Sequence, residues 1–369
     1  KLSFYDPSSI KMQNLETQFK YNNNSMKFED LNMITDKSNI SGNVYFSYNK
    51  EDLKSFVDKV NVSANFDHSE INLEELNFFY PEFGSSKNII IDANISGTLN
   101  SIDILNLNLT SNGGTNINGN FHFDNLISSK VRDFKMIGKI DNISSTYKDL
   151  KGILPRIIGK KLPSNLNNLG IFSAIGDIQI NDDKIIADFN IESQLGKIIT
   201  DITLNDINVI DLANYSGYLT LINFNLGKLI KNSDLGRVDG EFNIEGKGFK
   251  IINIKSKIKG NFNSFEFNGY NYKNINIFGQ IREKIFVGQA DVSDLNLKLN
   301  FDGFIDFSKA KNVYNFSTKI NHLDFNAINY SFGGKKSIFS GLIKLNVRGD
   351  NFNNLSGHLK FINSKFINE

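Results

Sequence analysis

Residues 295–307 read LNLKLNFDGFIDF. Leu295, Leu297, Leu299 and Phe301, and beyond Gly303 also Ile305 and Phe307, share one parity, while Asn296, Lys298, Asn300, Asp302 and Asp306 share the other. Successive side chains of a strand point to opposite faces, so a period of two predicts a strand with one apolar and one polar face. The same alternation returns along the chain, for example in Ala187, Phe189 and Ile191, in Ile343, Leu345 and Val347, and in Leu359 and Phe361. Turn signals separate these runs: Asn181-Asp182-Asp183, Leu195-Gly196, Gly246-Lys247-Gly248, Asn268-Gly269 and Gly349-Asp350. Such pairs suit tight reversals between antiparallel neighbours. The predicted fold class is all-β, a long meander of mainly antiparallel strands.

Helical spacing is confined to four short stretches: Asp52 to Val60, Asn72 to Phe79, Asp149 to Lys161 and Leu226 to Lys231. Pro155 lies inside the third and predicts a break there, because proline removes a backbone donor and clashes with the preceding turn. These segments are expected as short caps at an edge of the sheet. Four Gly-led segments, 95–126, 176–207, 240–281 and 341–366, share a strand-turn-strand shape. Their spacing is irregular, unlike the constant coils of a parallel β-helix.

Composition narrows the chemistry. The 369 residues carry 41 Lys plus Arg against 40 Asp plus Glu, so the basic face that nucleic-acid binding requires is not expected. With no Cys there are no disulfides, thiolate metal sites or Cys nucleophile. The four histidines, His68, His122, His322 and His358, lack the close spacing of a metal site or a catalytic base. No cofactor is expected. Asn is about three times as common as in an average globular domain. Codon bias accounts for that excess better than stacked Asn ladders, since Asn falls on polar-face and turn positions and not in one register. No apolar run reaches the roughly 18 to 20 residues that span a bilayer. The first residue is Lys1, so the chain reads as a segment of a longer polypeptide whose anchor or export signal lies outside it.

About twenty strands laid side by side at ~4.8 Å would extend roughly 100 Å, more than a sandwich uses before it curls or splits. Few helices are available to cover the apolar face. Successive sandwiches, a closed barrel or a sheet folded lengthwise into a trough remain as solutions. A trough would hold acyl chains at ~0.8 kcal/mol per buried methylene while letting them slide.

The segment from Leu162, LPSNLNNLGIFSAIGDIQI, with IIADFNIESQLGKIITDITL, YSGYLTLINFNLGKLIKNSDLGRVDGEFNIEGKGF, NGYNYKNINIFGQIREKIFVGQADVSDLNLKLNFDGFIDF and INHLDFNAINY, resembles the TamB family in its Bacteroidota form. Upstream, ISGTLNSIDILNLNL, NGNFHFDNL and YKDLKGILP are similar to the preceding portion of that family. The resemblance implies an AsmA-like, elongated repeating β-groove, with residues 1–161 as an upstream segment and 162–369 as the TamB-like segment of one continuous array. It further implies a periplasmic protein that conducts phospholipid between membranes and supports outer-membrane protein assembly. An inner-membrane anchor and a BamA-type barrel partner, TamA or TamL, would engage regions outside this segment. Nucleic acid is not an expected partner, and no catalytic motif exists to carry over. The expected groove lining is Ile178, Ile180, Phe189, Ile191, Ile202, Leu204, Phe242, Ile244, Ile252, Ile254, Phe265, Phe267, Ile275, Ile277, Leu295, Leu297, Leu299, Phe301, Ile343, Leu345 and Val347.

Polar candidates have plainer explanations. Asp291, Asp294, Asp302 and Asp306 lack the EF-hand spacing and its bidentate Glu, and read as a solvated strand face. Tyr270 and Tyr272 read as a strand pair, and Asn112 to Gly114 and Gly333-Gly334 as hairpin turns without the Lys-Ser/Thr of a phosphate loop. Lys160 and Lys161 beside Arg156 form a small basic cluster suited to anionic lipid heads or to an ordinary helix surface. Two other function classes stay open: a structural or adhesive β-array, and a carbohydrate-active β-helix enzyme, for which no acidic or basic cluster has convincing spacing.

Overall fold

The hairpin around Asn268-Gly269 shows how the alternation becomes structure. Asn268 (φ 50°) and Gly269 (φ 74°) are both left-handed, as a type I′ turn requires, and the twist of that turn matches the flanking strands. Phe267 then faces Tyr270, and the same register holds to Lys255 opposite Arg282.

The computed structural model describes residues 4–5, 10–83, 87–127, 133–250, 252–330, 336–350 and 354–369. They form two compact units, residues 1–194 with 206–210, and residues 195–205 with 211–369. The first unit contains β1 (Phe4–Tyr5), β2 (Lys11–Asn22), β3 (Ser25–Thr35), β4 (Asn39–Ser47), β5 (Asn61–Asn72), β6 (Asn88–Thr98), β7 (Ser101–Ser111), β8 (Asn116–Asp124), β9 (Lys135–Thr146), β10 (Ile171–Ile180) and β11 (Lys184–Ser193). The second contains β12 (Gly196–Asn205), β13 (Asn214–Asn225), β14 (Leu235–Lys247), β15 (Lys255–Phe267), β16 (Tyr270–Arg282), β17 (Ile285–Ser293), β18 (Leu297–Asp306), β19 (Val313–Asp324), β20 (Ser337–Arg348) and β21 (Ser356–Asn368). Within each unit every strand pairs antiparallel with the next in sequence. Among the described residues the first and last strands of a unit do not pair, so neither sheet closes into a barrel. The chain is all-β, a meander with a few short helices, consistent with a repeating β-groove. The position 161/162 lies inside the first unit.

One device bends these sheets repeatedly. Within β3, β5, β7 and β13 a single non-glycine residue takes a left-handed backbone: Asp30 (φ 51°), His68 (φ 44°), Asn106 (φ 52°) and Asn223 (φ 48°). Asn, Asp and His are the non-glycine residues that best tolerate this region. Each sits where the register slips against the following strand. The residue opposite the slip accepts its N–H: Asp30 donates to Asn43 Oδ1 (3.0 Å), His68 to Asp92 Oδ1 (2.6 Å), Asn106 to Asn120 Oδ1 (2.8 Å) and Asn223 to Asp239 Oδ1 (2.7 Å). A bulge bends its strand and increases local twist, so each clamp fixes a crease. Positions 30, 68 and 106 stand 38 residues apart each time. These three creases thus recur every second strand, where the loose sequence repeats suggested irregular spacing.

The helices fall where expected and close strand ends. A 3₁₀ turn (Lys50–Ser55) runs into α1 (Phe56–Lys59); α2 (Leu73–Phe79) starts at Asn72, whose side chain accepts from Glu74 N–H at 3.1 Å. Thr146 caps α3 (Tyr147–Ile153) through Asp149 N–H, Pro155 breaks the helix, and α4 (Arg156–Gly159) follows. Asn225 caps α5 (Leu226–Ile230), which ends on left-handed Lys231. Side-chain caps of this kind satisfy helix N–H groups that lack a partner. Leu73 of α2, Leu150 and Ile153 of α3 and Ile158 of α4 are buried. Two 3₁₀ segments, Ser164–Leu169 and Ile207–Leu212, have no helical period in the sequence; Leu169 and Ile207 are nonetheless buried.

Candidate functional site

The register brings the apolar parity of every strand into continuous rows. In the first unit one row crosses ten strands, β2 to β11: Phe19, Phe28, Val44, Ala64, Ile95, Ile104, Phe121, Gly138, Ile178 and Ala187. In the second, a row from β12 to β21 runs Ile202, Gly217, Ile244, Ile258, Gly279, Gly288, Gly303, Phe316, Leu345 and Leu359. The next row continues Phe242, Gly260, Ile277, Ala290, Phe301, Thr318, Ile343 and Phe361. No charged side chain interrupts these three rows. The opposite parity carries the polar residues, as in Glu241, Asn261, Asn276, Asp291, Asn300 and Lys319.

Both units leave part of this face open: in the first, Phe19 is 55% exposed and Phe28, Val44, Ile95, Ile104 and Ile178 are half-buried. Ile102, Phe121, Phe123, Met136, Ile180 and Ile185 of the first are buried. In the second, Ile275, Ile277, Leu297, Leu299 and Phe301 are half-buried, and the face opens towards β21, where Leu359 and Phe361 are 50% and 55% exposed. One end of the second face is closed by a cluster of Tyr272, Ile320, Leu323, Ile328 and Phe339, packed by Phe265, Phe267, Leu297 and Leu299. Burial pushes the Tyr272 hydroxyl up to about 12. Near the start of the face, Phe242 lies over two glycines: a Cβ on Gly260 would meet its ring at 2.7 Å, and one on Gly240 would meet it at the same distance. The ring is thereby laid flat and nearly fully buried. The single polar group buried in the Phe242 row is Thr318, whose hydroxyl has no partner among the described residues.

Most of the expected lining occupies this face. Ile178, Ile180, Phe189, Ile191, Ile202, Leu204, Phe242, Ile244, Phe265, Phe267, Ile275, Ile277, Leu297, Leu299, Phe301, Ile343, Leu345 and Val347 lie within strands, buried or half-buried. Ile252 and Leu295 require correction: they are 79% and 80% exposed and stand in the β14–β15 and β17–β18 connections, with Ile254 half-buried in the first of these. Period-two spacing continues through a turn as easily as along a strand. The lining set also omits the first unit's row from Phe19 to Phe121, although Ile102 with Ile104 and Phe121 with Phe123 carry the same alternation.

The polar candidates do not converge. Asp294 is buried and accepts from Tyr270 Oη (2.6 Å), Asn296 N–H (2.8 Å) and Lys273 N–H (3.0 Å). Asp306 accepts from Ser308 N–H at 2.7 Å, and its pKa is lowered chiefly by hydrogen bonding to the Ser308 side chain, with that N–H adding to it. Asp291 and Asp302 bond Asn300 and Gln289 on the polar face. Among the described residues no three acidic or histidine groups gather as a metal site. Tyr270 and Tyr272 meet edge to face, with ring centroids 4.7 Å apart. Asn112 to Gly114 form the β7–β8 turn; Gly333-Gly334 lies outside the described residues. Arg156 donates to the carbonyls of Pro81 and Glu82. Lys161 donates to the carbonyls of Asn181 (3.1 Å) and Asp182 (2.9 Å), and desolvation lowers its pKa. Two of the three basic residues are therefore turned onto the chain itself.

Short Asn rows do occur, against expectation. Asn43, Asn65 and Asn94 stand directly opposite one another across β4, β5 and β6, with Asn65 Nδ2 donating to Asn94 Oδ1 at 2.8 Å. Asp92, Asn108, Asn118 and Asn142 form a second row across β6 to β9. Unequal loops hide such rows from any search at fixed spacing.

No protein-family model, curated protein or solved structure matches the chain. No helix among the described residues is long and apolar enough to cross a membrane.

Proposed function

We propose that the chain is a segment of a TamB-like, bridge-type lipid-transfer protein of the cell envelope, and that its apolar sheet face holds phospholipid acyl chains. The observation that carries this reading is the set of uncharged rows, each spanning eight to ten strands, on a face left half-open in the second unit. Such a face offers many near-equivalent positions to a methylene chain, which favours retention with sliding. In this reading the polar headgroup stays in water at the open side. Periplasmic location, an inner-membrane anchor, a BamA-type barrel partner (TamA or TamL) and support of outer-membrane protein assembly belong to the same proposal. They rest on the resemblance of residues 162–369 to that family.

Photo-crosslinking in cells tests it. A photoreactive residue at Leu297 or Phe267, on the apolar face, should capture phospholipid, while one at Lys298 or Asn276, on the polar face, should not. Equal capture from both faces would end the idea. The buried Ile102, Phe121, Phe123, Met136, Ile180 and Ile185 favour a second reading for the first unit, a structural β-scaffold with a self-filled core. It predicts no lipid crosslinks from Ile104 or Phe121.

A further inference from the structure

The charge balance of the whole chain conceals a local imbalance. Strands β19, β20 and β21 carry Lys319, Lys344, Arg348, Lys360 and Lys365, against a single acid, Asp324, at the end of β19. Asp324 is engaged with Ala327 N–H at 3.2 Å. Lys344 stands directly opposite Lys360 on the polar face. Lys319 is the diagonal neighbour of Lys344, since Ser317 faces Lys344 and Lys319 faces Leu342. Like charges directly opposite across antiparallel strands are destabilising, and neither Lys319, Lys344 nor Lys360 has an ion-pair partner among the described residues. The three lysines line the β19–β21 side of an open cleft of about 1150 Å³ together with Asn315, Asn346 and His358; Asp291 and Asp302, which accept from Asn300 and Gln289, and Phe301 and Phe304 line its β17–β18 side.

We infer that this cleft binds a multivalent oxyanion, a ligand carrying at least two phosphate-class groups. An ammonium supplies three donors and no acceptor, so three neighbouring lysines without carboxylate partners favour an anion. The neighbouring amides add donors that orient oxygen atoms. A bound anion would also relieve the repulsion between Lys344 and Lys360. This inference concerns the face opposite the apolar one and stands whether or not that face holds lipid.

Calorimetric titration of the full chain with sodium tripolyphosphate at constant ionic strength provides the test. Saturable binding is expected, weakened at least about tenfold in the double variant Lys344→Gln/Lys360→Gln, the equivalent of losing one charge-assisted hydrogen bond. Lys259→Gln, an exposed lysine on β15, should bind as the unaltered chain does. Without ligand the double variant should melt no lower than the parent, which separates lost binding from lost folding. Lysine-dependent binding to phosphatidylglycerol vesicles and not to tripolyphosphate would identify the same chemistry in a lipid headgroup. Absence of both, or equal binding by the double variant, would overturn the inference.

Discussion

Replacing Asp239 by Ala should unlock the crease in β13. Its carboxylate accepts the N–H of Asn223 at 2.7 Å through Oδ1 and the Ser264 hydroxyl through Oδ2. Hydrogen bonds to a charged group contribute about 1.5 to 3 kcal/mol when well shielded. Asn223 is exposed and Asp239 only half-buried, so solvent competes and about 2 kcal/mol for the two together is the reasonable figure. At that value the Asn223 amide should exchange with solvent about 30-fold faster in native-state hydrogen exchange. Asn223 also holds a left-handed backbone, a strain of about 1 kcal/mol that glycine would remove. Asn223→Gly should accordingly return about 1 kcal/mol in the Asp239→Ala background, and Asp239→Asn, which keeps an acceptor, should cost less than Asp239→Ala. Exchange at Asn223 within threefold of the parent, with no relief from the glycine, would refute the clamp.

Three further outcomes follow from other features. Gly260→Ala should cost about 1 to 3 kcal/mol, because the new methyl would lie 2.0 Å from the Glu241 carbonyl as well as against Phe242; chemical denaturation of the second unit, followed by tyrosine fluorescence, measures it. Phe242→Ala, at a nearly fully buried ring, should cost about 3 to 5 kcal/mol, whereas Phe361→Ala, at a half-exposed one, should cost under about 1 kcal/mol. His122 contacts Asp103 (2.8 Å) and Asp124 (3.3 Å), and its pKa is raised chiefly by the bond to Asp103. Its contribution is therefore fully present below the unfolded value of 6.5 and lost as pH rises through the higher folded value. The stability gap between parent and His122→Gln should shrink on going from about pH 5.5 to about pH 8.5, and a gap that widened would show the sign to be wrong.

The strands and helix starts were legible because local chemistry dictates them. Asn72, Thr146 and Asn225 are side-chain caps, Pro155 cannot continue a helix, and Asn268-Gly269 permits two left-handed residues in succession. Parity gave the lining residues inside strands but failed at Ile252 and Leu295, where an apolar side chain keeps its spacing while the backbone turns into solvent. The creases were not legible at all. Asp30, His68, Asn106 and Asn223 share a conformation and a partner geometry but no flanking sequence, so their common role emerges only from register. The basic cleft was hidden for the same reason: Lys319, Lys344 and Lys360 are distant in sequence and adjacent only once three strands are paired.

Because each strand pairs only with its sequence neighbours, no contact of either sheet must wait for a distant part of the chain. All-β folds are usually slow because long loops must close before their strands pair. Here most pairings need only a hairpin or a connection carrying a short helix, the longest running from Thr146 to Ile171, and each Asx clamp reaches only to the following strand. A chain built this way can add ordered hairpins one after another as it is delivered, leaving one growing strand edge exposed to aggregation at a time.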